Sequence, residues 1–157
     1  MAGEHGTTDP RLWVKPLREL TEETTLGYEV IDFAEQILGI RLYPWQKWLL
    51  IHALELLEDG ETYRFRRLIV LVGRQNGKTL IVSVLCAWWL FVDSCRHPDR
   101  VPPLRFKIIG TAQNMDIARE PWNSVKLWCD PEPPSLEEAE AAIPTLQRAT
   151  NKVSDTN

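Results

Sequence analysis

The residues best suited to chemistry lie at positions 68–80, in the run Leu-Ile-Val-Leu-Val-Gly-Arg-Gln-Asn-Gly-Lys-Thr-Leu. Gly77-Lys78-Thr79 has the composition of a phosphate cradle. Gly77 has no side chain, so backbone N–H groups can approach phosphate oxygens. Lys78 is a point charge suited to the β- and γ-phosphates, and Thr79 offers a hydroxyl to Mg²⁺. A helix opening at Lys78 would add the positive end of its dipole. In the usual pattern G-x-x-x-x-G-K-[ST] the first glycine stands five residues before Gly77; here that position is Val72, and Gly73 is one place late. The alternative is an ordinary strand-to-helix turn that carries a lysine.

The elements that must position these residues follow from pattern. The uninterrupted apolar residues 68–72 predict a parallel strand covered on both faces. Residues 78–92 predict an apolar helix, too short to span a bilayer comfortably and better placed as a buried α/β helix. Upstream, Val30, Phe33, Ala34, Ile37 and Leu38 recur at helical spacing, with Thr24 or Thr25 as cap and Gly39 as stop. Pro44 suits the first turn of the next helix, whose Trp45, Trp48, Leu49, His52, Ala53 and Leu56 share a face. Downstream, 104–111 reads as a second strand. Asn114 then caps a helix running to Trp128, which Pro121 should kink or restart.

The loop Gly73-Arg74-Gln75-Asn76-Gly77-Lys78-Thr79 resembles the nucleotide-binding loop of terminase large subunits, the ATP-driven DNA-packaging motors of tailed bacteriophages. Many members lack the first glycine and carry an arginine at the place of Arg74. The segment Tyr43-Pro44-Trp45-Gln46 resembles the adenine-binding glutamine motif of the same family. The Gln46 amide could read both the acceptor and the donor of an adenine edge; an exposed helical glutamine between core tryptophans is the alternative. The resemblance spans about 26–128. It implies an incomplete α/β fold of the P-loop NTPase (RecA-like) class, with a mostly parallel sheet flanked by helices. It implies ATP and Mg²⁺ as cofactors, held by Gly73, Arg74, Gln75, Asn76, Gly77, Lys78, Thr79 and Leu80 with Gln46 at the base, and Thr79 near the metal. Lys78 and Arg74 are the implied catalytic residues; for Arg74 a structural salt bridge is the alternative. Implied partners are the terminase small subunit, the portal protein, double-stranded DNA and a downstream remainder of the large subunit. The implied location is the host cytoplasm, away from any membrane.

Composition sets further bounds. The 157 residues suffice for one domain with a real core, and 44% hydrophobic and 25% charged content is that of a globular protein. A net charge of −4 argues against a broad nucleic-acid surface. Cys86, Cys95 and Cys129 are odd in number and widely spaced, which predicts free thiols and no zinc site. The expected division is a loosely held arm over 1–25, a partial ATPase domain over 26–129 and a weakly ordered tail over 130–157. No apolar strand precedes Glu137, Glu138 and Glu140, so they do not form the acidic motif that ATP hydrolysis needs. Turnover by this chain alone is expected to be very slow or absent. A non-catalytic nucleotide-binding remnant, or another helicase-like ATPase, is the competing expectation.

Overall fold

Gly27 decides how the first two helices meet. A Cβ there would lie 2.4 Å from Cα of Ile51 and 2.5 Å from the carbonyl oxygen of Leu50, so the backbones approach closely only because position 27 is glycine. Helix α1 (Gly27–Asp32) packs at this point on α2 (Pro44–Ala53). The structure is a computed structural model that describes residues 8–100 and 105–153. Parts of three expected elements lie outside the described residues: 1–7 of the arm, 104 of the second strand and 154–157 of the tail.

The chain divides into two units, Met1–Val72 and Gly73–Asn157. In the first, α1 runs into a wider turn, Phe33–Ile37, where the Leu38 N–H reaches back five residues to the carbonyl of Phe33 at 3.1 Å. Gly39, at φ of 67°, follows it. Val30, Ile31, Phe33, Ala34, Leu42, Leu50, Leu54 and Leu56 are buried in this unit. Beneath the arm sits a buried carboxylate, Glu55, paired with Arg64 and accepting from the Leu17 N–H at 2.7 Å. Arg18 adds a hydrogen bond of 2.8 Å to the carbonyl of Leu57, and Arg64 one of 2.9 Å to that of Lys15.

The second unit is built on α3 (Lys78–Phe91) and α4 (Met115–Cys129), which pack together. Ile81, Val84, Ala87 and Trp88 are the buried side of α3 at helical spacing, and Val125 and Cys129 that of α4. The stretch Lys78–Cys95 is long and apolar enough to cross a membrane by length and composition. Asn114 caps α4, its side-chain oxygen accepting from the Ile117 N–H at 3.0 Å. The helix runs on through Pro121, so the restart expected there does not occur. Two short helices follow, α5 (Leu136–Ala141) and α6 (Pro144–Ala149). Leu146 is buried, and the Ile143 N–H donates to the Trp128 carbonyl at 2.8 Å.

The expected parallel sheet is not present. No β-strand occurs among the described residues; two isolated antiparallel bridges, Thr25 with Glu55 and Leu56 with Tyr63, are the nearest approach to one. Residues 68–72 carry no regular hydrogen-bonded structure, and Ile69 and Leu71 are 85% and 92% exposed. Residues 105–111 are likewise outside any ladder. The mostly parallel P-loop NTPase fold is therefore corrected to a helical one. A five-residue apolar run specifies extended backbone, but a strand also needs a neighbour to accept its N–H groups. The described residues supply none.

Candidate nucleotide site

The site begins where α3 begins. Gly77 is the residue before the helix, with φ of 73° and ψ of 28°, the left-handed conformation that costs glycine least. Gln75 also has positive φ, at 60°. The two reversals curl 73–77 back over the helix end. Asn76 Nδ2 donates to the carbonyl of Arg74 at 3.2 Å and closes the loop on itself. Gly77 has no side chain to cap α3, and the first-turn N–H groups of a helix are the kind of donor that suits an anion.

Lys78 folds along this loop, its ammonium donating to the Gly73 carbonyl at 2.6 Å. Arg74 is exposed and has no carboxylate partner among the described residues, so the salt bridge considered for it is not formed there. Lys78 and Thr79 line a cavity of about 240 Å³ together with Val82, Gly110 and Thr111. Its opposite wall is the first part of α4, with Ile117, Ala118, Glu120 and Pro121. Across it the Thr79 hydroxyl donates to the Glu120 carboxylate at 3.3 Å. Gln113 is exposed just before α4.

Gln46 stands in the first turn of α2. It is fully buried, and its Oε1 accepts from the Tyr43 N–H at 2.8 Å, tying the third helical residue to the start of α2. Its amide oxygen therefore serves the helix terminus. His52, one turn after Trp48, stacks on that indole with ring centroids 3.8 Å apart, while Trp13 meets both rings edge-on. Structure thus brings Gly73 through Leu80 together as one loop and helix start.

Glu120 was not distinguished by the sequence. It lies 41 residues from Thr79, and no local pattern marks it, because its importance comes from the packing of α4 on α3. The donor set fits a cation that arrives with a polyphosphate. Mg²⁺ is commonly held by one or two carboxylates together with phosphate oxygens, and Thr79 and Glu120 are protein donors of that kind. No group of three or more His, Cys, Asp or Glu side chains among the described residues could hold a metal by itself.

The cysteines stand apart from this chemistry. All three are free. Burial pushes the Cys86 thiol up from its ordinary pKa. Burial also raises that of Cys129, opposed by a hydrogen bond with Thr150 and reinforced by the charge of Asp130. Comparison of the chain with protein-family models, with characterised proteins and with solved structures gave no match.

Proposed function

We propose that this chain binds MgATP through residues 73–80 and is the nucleotide-binding segment of a DNA-packaging motor of the terminase large-subunit type. The observation that carries the reading is the start of α3. A left-handed Gly77 precedes the first turn, and Lys78 and Thr79 stand together on the cavity wall. A triphosphate would meet backbone N–H groups, a helix dipole and a cation there. The motor assignment rests on the order of residues in the loop and in 43–46. In that setting the partners are the small subunit, the portal, duplex DNA and the remainder of the large subunit.

Each residue has a definite part. The Lys78 ammonium exchanges the Gly73 carbonyl for phosphate oxygens. Arg74, exposed and without an acidic partner among the described residues, is available to balance charge on the terminal phosphate. Bound Mg²⁺ would neutralise phosphate charge. A second reading is a non-catalytic nucleotide-binding module. It is favoured by the cavity lining, in which Glu120 is the carboxylate contributed, whereas hydrolysis asks for both a metal-holding acid and a group that orients water.

Equilibrium binding of MgATP and MgGTP to the wild type, Lys78→Ala and Gln46→Ala tests the proposal. The wild type is expected to bind ATP, and loss of the charge-assisted phosphate contact in Lys78→Ala to weaken it about tenfold or more. Failure of the folded wild type to bind either nucleotide overturns the reading. Retained ATP preference in Gln46→Ala leaves that glutamine a structural cap only. Phosphate release at a measurable rate would exclude the non-catalytic module.

A further inference from the structure

The contact between Thr79 and Glu120 places a negative charge on the wall that the phosphates would occupy. The carboxylate is exposed. It lines the same cavity as Lys78 and accepts the hydroxyl proton of Thr79 at 3.3 Å. An uncomplexed triphosphate entering here brings several negative charges towards that carboxylate. A triphosphate carrying a divalent cation brings a positive centre towards the same oxygen atoms. The two ligands share their base, sugar and phosphates, so Glu120 acts on them with opposite sign.

Resting on the nucleotide reading above, we propose that Glu120 is the residue that selects the cation-complexed nucleotide over the free one. The Thr79 hydroxyl and the Glu120 carboxylate would hold the cation, which would neutralise phosphate charge. In the structure the hydroxyl donates to the carboxylate at 3.3 Å. Without the cation the same bond holds the hydroxyl away from phosphate. Glu120 lines the same cavity as Lys78 and Thr79. Screening by solvent limits the size of the effect because the carboxylate is exposed.

The test is calorimetric binding of ATP in excess Mg²⁺ and of ATP in EDTA to the full chain, as wild type, Glu120→Gln and Lys78→Ala. Glu120→Gln keeps the size of an exposed side chain, so the fold is retained; circular dichroism checks this. The wild type is expected to prefer MgATP by about tenfold, as one solvent-screened charge contact allows. Glu120→Gln should bring the two affinities within about twofold, by weakening MgATP and strengthening free ATP. Lys78→Ala should weaken both forms while leaving their ratio nearly unchanged. An unchanged ratio in Glu120→Gln, with binding still lost in Lys78→Ala, overturns the role of Glu120 and leaves the nucleotide site standing. No binding of either form by folded wild type overturns both.

Discussion

At the scale of single residues, polar groups placed inside the first unit should dominate stability. Glu55 is 1% exposed and is held by Arg64 and the Leu17 N–H. Glu55→Ala removes one partner of a buried pair and leaves a guanidinium without it, so a loss of about 3–5 kcal/mol is expected in urea unfolding. Gln46→Ala removes a capping acceptor from a buried position, and about 1–2 kcal/mol should go with it. That loss is expected whether or not nucleotide affinity changes, so it separates the cap from any contact with a base. Cys86 and Cys129 supply a pH dependence. Their thiols titrate higher in the folded chain than in the unfolded one because burial disfavours thiolate. Their stabilising contribution is complete below the unfolded thiol value of about 8.5 and is lost as pH rises towards their folded values. Denaturation midpoints should therefore fall on going from pH 8 to pH 10, and the fall should be smaller in Cys129→Ala when compared with its own midpoint at pH 8.

At the scale of elements, helix boundaries respond to local chemistry. Asn114 was legible as a cap because its side chain needs only the N–H of Ile117, three residues on. Asn114→Ala should cost about 1 kcal/mol and fray the start of α4, which also moves the cavity wall. Gly77 is the comparable position for α3. Gly77→Ala forces an L side chain into the left-handed region and should destabilise the second unit by about 1–2 kcal/mol, read from its thermal midpoint. Pro44 and Gly39 likewise sit where short-range rules place them. The two predicted strands failed for the opposite reason. Residues 68–72 satisfy the local requirement of apolar, β-branched content, yet strand formation depends on distant partners that local pattern cannot name.

At the scale of the whole molecule, each unit carries its own buried residues, and the apolar run 68–72 that ends the first unit is largely exposed. Ile69 and Leu71 are more than four-fifths exposed, whereas buried apolar residues repay ordering by leaving solvent. Such a segment is a self-association hazard. Ile69→Lys with Leu71→Lys should raise the concentration at which light scattering appears while shifting the thermal midpoint by less than about 0.5 kcal/mol equivalent, as surface substitutions do. A large loss of stability in that double variant would show that the run is packed in solution.

The sequence by itself determined the chemistry on offer: a glycine-lysine-threonine loop, the helix that opens behind it, the cap of the next helix and three free thiols. These depend on atoms within a few residues of one another, so spacing alone carries them. Tertiary structure alone decided that Gln46 is buried against its own helix start, that 68–72 is exposed and without a sheet, and that Glu120 reaches Thr79. Each of those outcomes depends on which surfaces meet across tens of residues. Burial and long-range hydrogen bonding are properties of the packed chain, and no short-range pattern encodes them.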